Sequence, residues 1–581
     1  MKLIDALERL KAPVAENAPP LRVFLACGFT PLHLETFLTA HLRNLYPARR
    51  VELNSGLFGD LIGNVELLRP EEHDALAVVI EWADLDSRLG LRTLGGWEVE
   101  KLPDIVDSVK RSLDRLMCTL QKIPAVLPTC ICLPTLPLPP LFYTGTQTSS
   151  VFELTLRRDL ASFAEAISSR RQVQVVSGQR LDENSPMGKR HDLRTEINQG
   201  FPYRTFHASV MGELLADLMF RREPKKGLIT DLDDTLWAGI LGEVGVQGVH
   251  WRLDEHAQLH GLYQQFLASL ASTGILIAVA SKNDAALVER AFERDDLLLS
   301  RKGVFPIEAH WRPKSESVQH ILKKWNLLQD SVVFVDDSPM EVAEVQRAFP
   351  EMECLLFPKD DYSAFWGLLS HLRNRFAKPR ISEEDSLRLQ SIRDSSAFLE
   401  PVDREPNSLD DFLQQAEGRL TFRCGKPVED ARAFELINKT NQFNLNGKRY
   451  DWAAWSKFLK DSQRCLVTVS YEDKFGKLGK VAVLIGSSTA TKFVVESWVM
   501  SCRAFSRRIE FHSLQYIFDK FGADEIVFEL QATNRNGPLT AFLQELVDGP
   551  AGANPRLTRS SFLRKAPKTP HHVQEEVSAG G

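Results

Sequence analysis

Three short apolar runs in the middle of the chain each stop abruptly at an acidic or hydroxyl residue. "GLIT" leads into Asp231, Asp233 and Asp234, "ILIAVA" into Ser281, and "SVVFV" into Asp336 and Asp337. Segments of helical length separate them. Short apolar runs of this kind read as strands buried on both faces, and strands alternating with helices imply a parallel sheet. In an open parallel sheet the functional crevice lies outside the carboxyl ends of the strands. Carboxylates and a hydroxyl are therefore delivered to one crevice. Like charges that close repel, and a shared cation relieves them; Mg²⁺, a hard ion that takes oxygen ligands and keeps several waters, suits such a set. Lys314, in "HWRPKSESV" ahead of a helix, adds a fixed positive charge. Taken alone, a D-x-D is often a solvated turn, and a serine after a strand is often a helix N-cap. Four signals in order, each on a fitting element, point to chemistry instead.

At 581 residues the chain is too long for one core, so several domains are expected. Composition is that of an ordinary globular protein, 43% hydrophobic and 25% charged. A net charge of −6 counts against nucleic acid as a partner. No stretch approaches about 18 apolar residues, so no membrane span is expected. "MKLIDALERLKAPVAENAPP" has charges where a signal peptide needs an apolar block. The eight cysteines are scattered, and the C-x-C of Cys130 and Cys132 has no second pair to complete a metal site. A cytoplasmic protein with reduced thiols is the expectation.

The expected fold class is α/β multidomain. Residues 1–220 read as an α/β domain, with a Pro-rich stretch at 124–140 expected to be a rigid traverse. Residues 221–378 form the central Rossmann-like domain, and 379–417 a charged helical linker. Residues 418–563 read as a third domain with strands such as "LTFRC", "CLVTVSY" and "KVAVLIG", and 564–581 as a disordered tail.

The central motifs resemble those of the haloacid dehalogenase superfamily of phosphatases and phosphotransferases, whose first motif is D-x-D-x-[TV]-[LV]. Here it reads Asp231-Leu232-Asp233-Asp234-Thr235-Leu236. The resemblance implies that Asp231 is the nucleophile and Asp233 the general acid and base. It implies that Ser281, Asn283 and Lys314 meet the phosphate, and that Asp231, the backbone carbonyl of Asp233, Asp336 and Asp337 hold Mg²⁺. The spacing from Thr235 to Ser281 and from Ser281 to Lys314 leaves no room for a helical cap domain, so an open site is expected.

"DLDDTLW", "SKND" and "VFVDD" further resemble the FkbH-like branch, as do "NKTNQFNLNGKRY", "VSYEDKFGKLGKVAV" and "WVMSCRAFSRRIE". That branch implies removal of phosphate from a phosphorylated three-carbon acid of the 1,3-bisphosphoglycerate type. The glyceryl unit then passes to the phosphopantetheine thiol of an acyl carrier protein for polyketide-type biosynthesis. The N-terminal region looks like a degenerate SGNH hydrolase: "LACGFT" has Cys27 but no serine, and "RTFH" keeps His207 with Arg204 where the acid belongs. A structural or docking role is expected there, with an altered chemistry at Cys27 as the alternative. The C-terminal region resembles the acetyltransferase (GNAT) fold. Its phosphate-binding turn would be "RAFSRR", with Arg503, Arg507 and Arg508 toward the phosphopantetheine or the carrier, and Asn536 at the following helix. Cys502, beside these arginines, is the candidate thiol for an acyl relay. The alternatives are a plain Mg²⁺-dependent small-metabolite phosphatase with scaffold domains, and a non-catalytic interaction protein, against which the complete motif set counts.

Overall fold

The structure is a computed structural model and describes residues 1–581 apart from 16, 141–144, 146, 221–222, 379–412, 415, 428–429, 441–442, 475, 490, 502–503, 505–506, 534–535, 548–553 and 577–581. Two compact units emerge, residues 1–222 with 450–461, and residues 223–449 with 462–581. Most of the expected charged linker lies outside the described residues.

The first unit is built on a five-stranded parallel sheet in the order β2-β1-β3-β4-β5. Its strands are β1 (Pro20–Cys27), β2 (Arg50–Ser55), β3 (Ala75–Val79), β4 (Thr129–Cys132) and β5 (Val173–Val175). The two-residue period of β3 shows why an unbroken apolar run belongs at the centre. Ala75, Ala77 and Val79 pack into a core with Phe37 and Leu215, while Leu76 and Val78 pack into a second core with Val109 and Phe163. β4 falls inside the Pro-rich stretch expected to be a traverse. Its flanking prolines, Pro128 and Pro134, bracket "TCIC" without removing any donor from within it, so all four residues pair and are buried. The helix Trp452–Lys460, expected in the third domain, groups with this first unit, where Asp451 pairs with Arg49.

The second unit opens with another five-stranded parallel sheet, in the order β10-β9-β6-β7-β8. These are β6 (Gly227–Thr230), β7 (Leu276–Ser281), β8 (Ile307–Ala309), β9 (Val332–Asp336) and β10 (Glu353–Leu356). The chain lays down β6, β7 and β8 in one direction, then returns to place β9 against the other side of β6. The β6/β9 boundary is thus the topological switch point.

An eight-stranded, largely antiparallel sheet follows, in the order β17-β16-β15-β14-β13-β11-β18 with β12 also pairing β15. Its strands are β11 (Arg419–Cys424), β12 (Phe443–Asn444), β13 (Arg464–Asp473), β14 (Gly476–Ser488), β15 (Lys492–Met500), β16 (Glu525–Phe528), β17 (Arg556–Thr558) and β18 (His572–Glu575). β15 and β16 run parallel only from Lys492 to Val495, and β12 takes over the same edge of β15 at Val499 and Met500. In the splay between them the Asn446 amide donates to the carbonyls of Glu496 at 2.8 Å and Glu529 at 3.2 Å. β18 lies in the tail expected to be disordered. The edge of β11 presents unpaired backbone groups, and β18 satisfies them in parallel register, with Glu575 held by Tyr516 and Lys520.

Candidate active site

Asp231 follows β6 directly, and its backbone N–H donates to the Val335 carbonyl of β9 at 3.0 Å, so the two strands hand their terminal carboxylates to one point. Asp231 is 5% exposed and Asp336 fully buried. One oxygen from each of Asp231, Asp336 and Asp337 falls within 4.8 Å of the others. Lys314, at the start of the helix Lys314–Trp325, reaches three carboxylates: Asp231 at 2.8 Å, Asp336 at 2.5 Å, and Glu341. Burial pushes Asp231 up to about 7, with Lys314 pulling the other way and Asp336 adding to the rise. Burial also raises Asp336. For Lys314 burial opposes the charge, but Asp231 and Asp336 outweigh it and hold the ammonium protonated beyond the usual lysine range. A buried ion cluster of this kind is expensive unless its geometry and hydrogen bonding are complete.

Asp233 faces the turn that follows it. Its Oδ1 accepts from Trp237 Nε1 at 2.9 Å and the Leu241 N–H at 3.2 Å, and its Oδ2 accepts from Asn283 Nδ2 at 3.0 Å. Asn283 also donates to Ser281 Oγ at 3.1 Å, so the end of β7 is tied to the turn after β6. Thr235 Oγ1 accepts from the Asp337 N–H at 3.1 Å, and Asp336 Oδ1 from the Ser338 N–H at 2.9 Å. Two sets of direct contacts thus form at the carboxyl ends of these strands, Asp231–Lys314–Asp336 and Asp233–Asn283–Ser281, while Asp337 is tied to Thr235 and brings an oxygen within 4.8 Å of those of Asp231 and Asp336.

Nothing in the motifs singles out Glu341 or Lys359, and Lys282, although it lies within "SKND", is given no role by them. Glu341 sits in the first turn of the helix Pro339–Ala348, where an acid suits the helix dipole, and it pairs with Lys282 at 2.9 Å as well as with Lys314. Its position one turn beyond Asp337 is the signal that finds it. Lys359, after β10, has no such signal.

The candidates in the eight-stranded sheet are placed differently. Arg507 is 6% exposed, with its guanidinium 5.5 Å over the Tyr471 ring and its Nε 3.6 Å from Asp473. Arg508 donates to the Lys568 carbonyl at 2.9 Å. Asn536, 1% exposed, donates to the carbonyls of Asn444 at 3.0 Å and Gln531 at 2.9 Å and accepts from the Thr533 N–H at 2.8 Å. Its amide is spent on holding β12. Cys502 and Arg503 lie outside the described residues.

In the first unit, Cys27 is buried with its thiol directed to the Phe29 carbonyl at 3.3 Å, and burial pushes it far above the usual thiol range. His207 bonds Thr135 Oγ1 at 3.0 Å and Ser185 Oγ at 2.9 Å. The Thr135 hydroxyl donates to Glu81 at 2.7 Å, so His207 must donate from Nε2 and accept at Nδ1. Burial lowers His207 to about 3. Glu81 accepts from the N–H groups of Thr135 and Leu136 and the hydroxyls of Thr135 and Tyr203, and burial pushes it up to about 6. Arg204 turns away to the His191 carbonyl.

No protein-family model matches the chain, and no curated protein matches it. Among solved structures, the N-terminal part of a Bacteroides fragilis protein, containing a phosphatase domain and complexed with Mg, is 19% identical; the match covers 65% of this chain and 100% of that one with a TM-score of 0.50. An uncharacterized Corynebacterium glutamicum protein is 18% identical, with 26% and 98% covered and a TM-score of 0.19. A cobalt-bound deoxy-D-mannose-octulosonate 8-phosphate phosphatase from Haemophilus influenzae is 15% identical, with 31% and 96% covered and a TM-score of 0.18. Among the described residues, no helix is long and apolar enough to cross a membrane. The likeness to the Bacteroides fragilis structure is one of fold: this chain shares the α/β architecture of a phosphatase-domain protein.

Proposed function

We propose that the second unit removes a phosphoryl group from a phosphorylated small molecule, with Asp231 as nucleophile and Mg²⁺ as cofactor. The observation that carries this is the meeting of Asp231, Asp336 and Asp337 oxygens within 4.8 Å of one another beside Lys314. The donor set is all oxygen and strongly acidic, which fits Mg²⁺, the ion reported with the similar Bacteroides fragilis structure. Asp231, Asp336 and Asp337 would hold it, and when bound it would offset the charge of the phosphoryl oxygens.

An Asp231 carboxylate oxygen bonds to phosphorus as the bond to the leaving oxygen breaks, and that oxygen takes a proton from Asp233. Asp233 then takes a proton from water, whose oxygen attacks phosphorus and releases the Asp231 carboxylate and phosphate. Lys314 and Ser281 stabilise the transferring group's charge, and Asn283 orients both Asp233 and Ser281. The test is phosphate release from acetyl phosphate with and without Mg²⁺, together with mass spectrometry of the Asp231 peptide for a phosphoryl adduct. Undiminished release by Asp231→Asn would overturn the assignment.

The fuller reading has a phosphorylated three-carbon acid as substrate and an acyl carrier protein receiving the acyl group. Its support is the resemblance of residues 438–450, 469–483 and 498–510 to the FkbH-like branch. Arg507, Arg508 and Asn536 are engaged in internal contacts, so in this reading Arg503 and Cys502 would have to receive the phosphopantetheine arm, or Arg508 would have to leave the Lys568 carbonyl. Dephosphorylation is the function the geometry supports best.

A further inference from the structure

Asp234 and Asp337 are bridged by a lysine that belongs to neither of their strand ends. Lys359 Nζ, in the turn after β10, donates to Asp234 Oδ2 at 2.8 Å and to Asp337 Oδ2 at 3.0 Å. Asp234 occupies left-handed backbone, φ 51°, and its Oδ1 accepts from the Gly239 N–H at 2.9 Å. Asn and Asp both tolerate that conformation, and one carbonyl oxygen would satisfy Gly239. The turn therefore does not by itself require a charge at 234. What the carboxylate adds is its second oxygen, and that oxygen holds Lys359. The Lys359 side chain is 40% exposed and that of Asp337 is 18% exposed, whereas Asp336 is fully buried. Asp337 is thus the member of the carboxylate triad that stands nearest solvent.

We propose that Lys359 is a positioning residue that restricts Asp337 to coordination through one oxygen and so makes the site select Mg²⁺ over Ca²⁺. The proposal rests on the reading that Asp231, Asp336 and Asp337 hold a divalent cation. Mg²⁺ demands near-octahedral geometry and is content with single carboxylate oxygens, while Ca²⁺ takes more ligands and readily uses both oxygens of a carboxylate. For coordination through both oxygens a cation must compete with the Lys359 ammonium for Oδ2, so coordination through a single oxygen is favoured. Asp234 anchors the far side of the ammonium, so the clamp does not depend on the flexible lysine stem alone. Groups that orient metal ligands commonly contribute about tenfold or more to a site's metal affinity.

Calorimetric titration of the full-length protein with MgCl₂ and with CaCl₂ tests this without reference to turnover. In Lys359→Met the ratio of the Ca²⁺ Kd to the Mg²⁺ Kd should fall by about tenfold, at the lower end of what groups orienting metal ligands command. Lys359→Arg, which keeps a cationic donor, should retain most of the parent's ratio. A Lys359→Met protein that melts like the parent and keeps the parent's ratio overturns the role of Lys359. A parent protein that binds neither ion overturns the cation site itself, so the two failures are distinguishable.

Discussion

The chain carries two five-stranded parallel sheets, each with polar side chains buried at its carboxyl edge, and the two edges are wired in opposite ways. Beyond β3 and β4, Glu81 is met by two N–H groups and two hydroxyls, and both ring nitrogens of His207 are used. Each of these donors is answered by a neighbouring acceptor, which is how a buried polar network adds rigidity. Beyond β6 and β9, carboxylates crowd one another and a single ammonium serves three of them. Glu81 and His207 are satisfied by neighbouring residues at the first edge; the second concentrates negative charge that an external cation can answer. On the proposed function, one architecture would support an inert edge and a reactive one, because function resides in the site and not in the sheet.

The sharpest way to break this contrast is to neutralise one carboxylate at each edge. Asp231→Asn should lose phosphate release by about a thousandfold or more, as loss of a covalent nucleophile does. Glu81→Gln, measured in the same assay, should leave it near the parent's rate. Comparable losses in both variants would abolish the distinction.

Lys314→Met tests the charged edge alone. It leaves buried carboxylates without their cation, a change that typically costs about 3–5 kcal/mol. Hydrogen exchange in peptides from β6 and β9 should accelerate accordingly while β1 and β3 hold. Unchanged protection in β6 would mean that Lys314 contributes nothing to the cluster's stability.

A smaller effect sharpens the inert edge. His207 is neutral in the folded protein, its value lowered from 6.5 to about 3. The unfolded chain binds a proton below its ordinary value and the folded protein does not, so this group's contribution is fully present above about 6.5 and is lost as pH falls from there toward 3. Between pH 7 and pH 5 the loss is about 2 kcal/mol. His207→Gln removes it, so denaturation of the first unit should depend less steeply on pH in the variant than in the parent. Equal slopes would show that the ring titrates normally.

The smallest effect expected is none. Hydrolysis of p-nitrophenyl acetate should be the same for the parent and for Cys27→Ala, since that thiol is buried and pushed toward its protonated form. A loss of esterase activity in Cys27→Ala would make the first edge reactive after all.

What could be read in the sequence follows from what is local. β3, β6, β7 and β9 are unbroken apolar runs ending at a polar residue, and that pattern alone places Asp231, Ser281 and Asp336 at a sheet edge. Lys359 could not be read, because a lysine in "FPKDDY" looks like any solvated turn and acquires meaning only when β10 lies beside β9. β18 could not be read for a related reason. All four of its residues are exposed, so its pairing rests on backbone bonds to β11 and shows no apolar alternation. The inward turn of Arg507 is likewise tertiary: three arginines within six positions suggest a surface, and only Tyr471 and Asp473 on β13 explain why one of them is buried.

β12 fills the splay between β15 and β16, pinned there by the amides of Asn446 and Asn536. Any guest for that cleft must first evict a tenant. Its measured affinity is therefore its intrinsic affinity multiplied by the fraction of molecules in which the segment is already out. Loosening either asparagine raises that fraction, so a substitution that touches no ligand at all could make the cleft look like a better receptor.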